Sequence, residues 1–121
     1  MSELFVKSIN GNERLVRRGR FVNASFLIEN SDASWLVVIA AGRIASVSRG
    51  PFVMPSWNFA LRFSGDGWQR YTDPVPQPGF NDLFALMKRR LLRIEGELHP
   101  FMANLFYFKE VLAAFGAAGR A

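Results

Sequence analysis

The sequence predicts an α+β fold, with helices gathered on one face of a mostly antiparallel sheet. Three observations carry this prediction. Period-two alternation broken by turn residues fills positions 21–49, a second alternation occupies 57–64, and 3.6-residue apolar periodicity takes over near 82 and again after 100. At 121 residues the chain is expected to form a single domain, 1–121, large enough for a core without staples.

Taking the elements in order, Leu4, Phe5, Val6 and Ile9 form an apolar patch suited to a helical turn or two. Asn10-Gly11-Asn12 ends it. Arg14, Arg17, Arg18 and Arg20 follow, the first three sharing a face if helical. In the first strand Val22, Ala24, Phe26 and Ile28 point one way, and Asn23, Ser25, Leu27 and Glu29 the other. After the turn residues 30–34, the uninterrupted apolar run Trp35 to Ala41 predicts a strand buried on both faces. Gly42 then turns the chain into a third strand, Arg43 to Arg49, completing an antiparallel meander. Residues 50–56 form a loop whose Phe52, Val53 and Met54 are apolar where solvent is expected, the composition of a lid or rim. Trp57, Phe59, Leu61 and Phe63 alternate with Asn58, Ala60, Arg62 and Ser64 as a fourth strand.

Asp66 is a candidate N-cap for a short helix through Tyr71. The prolines at 74, 76 and 78 make 73–79 a stiff connector. Asn81 or Asp82 can cap a helix carrying Leu83, Phe84, Leu86 and Met87. A fifth strand runs from Arg89 or Arg90 to Glu95, closed by Gly96. A final helix is predicted from Pro100, which suits a first turn, to an exit at Gly116. Its stripe Phe101, Leu105, Phe108, Leu112 and Phe115 suffices for docking on a sheet. Met102 and Phe106 lie on a second flank, and Tyr107 with Val111 on a third. Exposing Met102 and Phe106 would forgo roughly 1.5–3 kcal/mol each. The helix at 81–88, a second subunit or an apolar ligand can cover them.

Composition narrows the function. Twelve Phe against two Tyr predicts an interior, or a bound guest, with few hydrogen-bonding handles. The absence of cysteine removes disulfides and thiolate chemistry, and a single His argues against a protein-only metal site. His99 beside Pro100 reads as a capping or surface residue, Glu95 and Glu97 as a solvated pair, and Gly65-Asp66-Gly67 lacks phosphate-loop spacing. No catalytic constellation or cofactor motif stands out, so a non-enzyme is expected. With no apolar signal centre and no run of spanning length, the expected location is the cytoplasm. The net charge of +5 favours an anionic partner, and basic residues are not interleaved with aromatics as nucleic-acid binding requires.

The progression Ala60-Leu61-Arg62-Phe63-Ser64 with Trp68, then Leu91-Leu92-Arg93-Ile94-Glu95-Gly96-Glu97 and a terminal helix, resembles the sterol carrier protein 2 (SCP-2) family over about residues 20–115. The resemblance implies a five-stranded mixed, mostly antiparallel sheet covered by helices and enclosing a hydrophobic cavity for fatty acids, acyl-CoA, quinones or sterol-like lipids. Members act by binding, without bond chemistry, and some bacterial relatives serve ubiquinone biosynthesis as accessory proteins. In this chain the N-terminal helices usual to the family are reduced to about twenty residues. The expected apolar lining is Phe52, Met54, Trp57, Phe59, Leu61, Phe63, Phe84, Met87, Met102, Leu105 and Phe106. Lys88, Arg89 and Arg90 are the expected contacts for an anionic head group or an anionic membrane surface. The alternative is an accessory subunit whose apolar surface forms a homodimer or partner interface.

Overall fold

The computed structural model describes residues 2–53, 55–75, 78, 80 and 82–120, without the side chains of Ser2 and Arg120. The elements run α1 (Ser2–Asn10), α2 (Glu13–Arg18), β1 (Asn23–Glu29), β2 (Ser34–Ala40), β3 (Arg43–Arg49), β4 (Phe59–Phe63), α3 (Gly67–Tyr71), α4 (Leu83–Lys88), β5 (Leu92–Gly96), α5 (Leu98–Ala103) and α6 (Leu105–Arg120). Met54 of the expected lining, and Asn81 as an alternative cap, lie outside the described residues. Asp82 is the cap of α4, accepting from the Phe84 N–H at 3.1 Å.

The sheet order is β3-β2-β1-β4-β5. The first three strands form the expected antiparallel meander, β5 is antiparallel to β4, and β4 runs parallel to β1. The mixed α+β architecture expected from the sequence is therefore present. The parallel pair forces a long connection. Gly50 leaves β3 bonded to the Ser34 carbonyl, whereas Asn58 enters β4 bonded to the Ser25 carbonyl, at the other end of β1. Asn58 also accepts from the Ser25 N–H through its side chain (2.8 Å) and from the Glu97 N–H through its carbonyl (2.7 Å), tying together the starts of β1 and β4 and the end of β5.

One sheet face carries Phe26, Ile28, Val37, Ile39, Phe59, Leu61, Phe63 and Leu92, all buried against the helices. Phe108 of α6 stands edge-on to both Phe26 and Phe59, with ring centres 5.6 and 5.3 Å apart. Phe115 meets Phe5 of α1 and Trp35 of β2, each at 5.1 Å. Such pairs add about 0.5–1.5 kcal/mol beyond burial. Tyr107, on the third flank, donates its hydroxyl to the Gly42 carbonyl at 2.7 Å. Burial pushes that hydroxyl's pKa up to about 12. The ring fills a slot that only a glycine leaves open, since a Cβ at Gly19 would collide with it. The opposite face carries Leu27 and Ala60, buried outside the main core cluster, and Trp57 of the β3–β4 connection, whose ring Arg62 overlies at 5.8 Å.

Several boundaries differ from expectation, each for a visible reason. β4 begins at Phe59 instead of Trp57, because Asn58 spends its side chain and backbone on the three-strand junction. β5 begins at Leu92, because Arg89 and Arg90 finish α4. Asp66 stands at the N-cap of α3 without making the cap bond, its carboxylate being held by Arg70 at 2.6 Å. β2 buries Val37 and Ile39 on one face but leaves Leu36 and Val38 half-buried on the other. The single final helix is two. Asn104 breaks it by turning its side-chain amide onto the Pro100 carbonyl (2.9 Å), a local bond that competes with the helix ladder. Helix α6 then runs through Gly116 instead of ending there. The burial of Phe115 and Ala118 outweighs the penalty of about 1 kcal/mol for an interior glycine.

Candidate functional site

The described residues of the expected apolar lining are spread over the β3–β4 connection, β4, α4, α5 and α6. Phe59, Leu61 and Phe63 are buried between sheet and helices, where the Phe59 ring lies 5.2–5.4 Å from those of Phe26, Phe101 and Phe108, so side chains fill the layer around it. Phe52 and Trp57 are half-buried on the β3–β4 connection, Phe84 on α4 and Leu105 at the start of α6. Met102 and Phe106 are 49% and 68% exposed. The α4 helix does not cover them.

Three of the expected residues do meet. Phe63, Met87 and Arg90 line a groove of about 420 Å³ together with Glu29, Arg62, Ser64, Leu92 and Arg93. Its floor is apolar, from Phe63 and Leu92 at the paired ends of β4 and β5 and from Met87 at the end of α4. Its rim is basic. Arg62 reaches Glu29 at 2.8 Å and Glu95 at 3.0 Å, and Arg93 reaches Glu95 at 2.6 Å, a ladder across three strands. Burial opposes the charge on Arg62, yet its hydrogen bonds to the two carboxylates outweigh that and hold its pKa above the ordinary value. Its charge is therefore already matched, which leaves Arg90 as the rim cation outside the ladder. Of the other expected head-group contacts, Arg89 stacks on Phe80 at 4.4 Å, opposite Arg70 at 4.5 Å, and Lys88 is exposed outside this groove.

Arg90 is held in an uncommon conformation. Its φ is 59°, and the bonds Arg90 N–H to Met87 O (3.0 Å) and Leu91 N–H to Leu86 O (2.9 Å) make a Schellman cap, whose left-handed position usually belongs to glycine. The Ser64 hydroxyl fixes the turn further by donating to the Arg90 carbonyl at 2.9 Å. A side chain at this position costs on the order of 1 kcal/mol, a strain that natural proteins retain at functional positions. Arg90→Gly is therefore expected to raise the unfolding free energy by about 0.5–1 kcal/mol in denaturant titration.

Sequence reasoning singled out neither Arg62 nor Glu29, Ser64 or Leu92 as site residues. Period two does place Glu29, Arg62, Arg93 and Glu95 on non-core faces. Their alignment depends on the β1–β4 and β4–β5 registers, which no local pattern encodes.

No protein-family model matches the chain, and no curated protein matches it in sequence. Solved structures do match. A crystal structure of sterol carrier protein 2 gives a TM-score of 0.73 at 11% identity, covering 93% of this chain and 90% of that one. A conserved hypothetical protein from Thermus thermophilus gives 0.65 at 12% identity, covering 91% and 82%. UbiJ-SCP2, a ubiquinone synthesis protein, gives 0.54 at 13% identity, covering 90% and 79%. The fold is SCP-2-like, as the resemblance at Ala60–Ser64 and Leu91–Glu97 implied.

Proposed function

We propose that this SCP-2-like chain is a lipid-binding protein of the cytoplasm that acts without bond chemistry. Its ligand lays an apolar chain against Phe63, Met87 and Leu92 and an anionic head against Arg90, with Arg62 and Arg93 behind it. The observation that carries the reading is the groove itself, an apolar floor under a basic rim in a fold shared with a sterol carrier protein and a ubiquinone synthesis protein. The rim favours fatty acids and acyl-CoA over neutral sterols and quinones, because guanidinium groups engage carboxylate and phosphate bidentately. Thermal unfolding with each of the four ligand classes tests it. A long-chain fatty acid and its acyl-CoA should raise Tm in a concentration-dependent way, since a ligand confined to the folded state stabilises it. An alkyltrimethylammonium ion of equal chain length should not. Failure of all four classes to shift Tm would end the reading.

A further inference from the structure

Among the described residues β3 is an edge strand, paired with β2 on one side only. Which of its backbone groups face the open side follows from the ladder. The Gly50 N–H donates to the Ser34 carbonyl at 2.8 Å, so these two residues form a hydrogen-bonded pair, and such pairs alternate with non-bonded ones along an antiparallel ladder. Leu36 with Ser48 and Val38 with Ser46 are then the next bonded pairs. Trp35 with Arg49 and Val37 with Val47 are the non-bonded ones, which turns the N–H and C=O of Arg49 and Val47 away from β2.

The first half of this edge is closed. The ladder skips Ala45 as a bulge, and Ile44 before it meets Asn10, whose side-chain amide accepts from the Ile44 N–H at 2.8 Å and donates to the Ile44 carbonyl at 3.2 Å. Those are the two bonds a neighbouring strand would make. Bulges and caps of this kind shield an edge from stray strands, and here they end at Ala45. Among the described residues, no bond is made to the outward groups of Val47 and Arg49. The side chains around them select an occupant. Ser46 and Ser48 are small and exposed, beside half-buried Val38 and Leu36, so β-branched side chains on an added strand can lean across the serines onto them. Arg49 overlies Trp35 at 5.8 Å and makes no ion pair among the described residues, although Asp32 lines the same pocket. A carboxylate opposite it would match its charge. A second copy of β3 fits poorly: pairing about Ser48 sets Arg49 diagonal to its own equivalent, and Pro51 has no N–H to extend the ladder.

We propose that β3 captures an extended peptide segment of a partner protein as a sixth strand, bonded to the backbone of Val47 and Arg49, with β-branched residues over Ser46 and Ser48 and a carboxylate opposite Arg49. The groove at β4, β5 and α4 lies across β2 and β1 from this edge, so capture does not depend on the lipid-binding reading.

The test is amide hydrogen exchange on the whole chain, alone and with the capped peptide Val-Thr-Val-Asp-Val-Thr-Val. In the free protein the Val47 and Arg49 amides should exchange quickly and those of Ser46 and Ser48 slowly. Saturating peptide should slow Val47 and Arg49 by about tenfold or more and leave Ser46 and Ser48 as they were. Methylating the peptide nitrogens of Asp and one Thr removes two donors worth about fivefold each, so binding to the wild type should weaken about 25-fold. Replacing the peptide's Asp by Lys should weaken binding, and by less as salt rises. Arg49→Ala, an exposed position where a Tm equal to wild type confirms folding, should erase the difference between the Asp and Lys peptides. The proposal is overturned if Val47 and Arg49 are already protected in the free protein, if the peptide leaves their exchange unchanged, or if the N-methylated peptide binds as well as its parent. Protection of the same two amides that grows with protein concentration and needs no peptide would also overturn it, in favour of a self-paired dimer.

Discussion

Phe59→Ala should lower the unfolding free energy by about 3–5 kcal/mol, the range for truncating a buried aromatic whose neighbours cannot close the gap. Phe59 is fully buried at the start of β4, in the pair that joins β4 to β1. Its ring is stacked on Phe26 at 5.2 Å and contacts Phe101 and Phe108, so truncation removes a common partner from β1, α5 and α6 together. Both flanking strands are held in register and α6 is anchored elsewhere through Phe115, which limits collapse into the cavity. Against a typical domain stability of about 5–15 kcal/mol, this loss should bring the urea midpoint down sharply. Phe106→Ala, a few residues from the same cluster but 68% exposed, should stay within about 0.5 kcal/mol of wild type. Equal losses at the two positions would mean that the aromatic layer is not the core.

The second large effect concerns ligand binding. Met87→Asp combined with Arg90→Glu should weaken fatty-acid binding by roughly 100-fold, from a lost apolar contact of about 1.5 kcal/mol and a reversed head-group charge of similar size. Met87 and Arg90 are exposed at the end of α4, while Leu83 and Leu86 on the same helix stay in the core. The fold should therefore survive, with a Tm close to wild type in the absence of ligand. Calorimetric titration of both proteins separates this from a general loss of structure. A double variant that binds as the wild type does would move the ligand away from this groove.

How far these features were legible in the sequence depends on the range over which each is determined. The meander and the stripe Phe101, Leu105, Phe108, Leu112 and Phe115 are local patterns of period two and 3.6; the meander forms as predicted, and the stripe is buried except for Leu105, which is half-buried, with Phe101 on α5 and the rest on α6. Arg43–Arg49 is β3 to the residue. The parallel pairing of β4 with β1 has no local signature, so the Glu29–Arg62–Glu95 ladder and the groove beside it could not be assembled from the alternation alone. Asn58 and Asn104 show a second limit. Both carry a short amide, Asn58 on the polar face of an expected strand and Asn104 inside an expected helix, yet one joins three strands and the other splits a helix, according to which backbone atoms lie within reach. The surplus of Met102 and Phe106 was visible as a second apolar flank. Their exposure, 49% and 68%, depends on tertiary placement that the helical pattern does not encode.

Amide chemical-shift mapping during titration with a long-chain fatty acid tests the central claim most directly. The account predicts saturable shifts concentrated at Phe63, Ser64, Met87, Arg90, Leu92 and Arg93, absent in the Met87→Asp/Arg90→Glu variant. Shifts confined instead to Met102, Leu105 and Phe106, or no saturable shift at all, would contradict it.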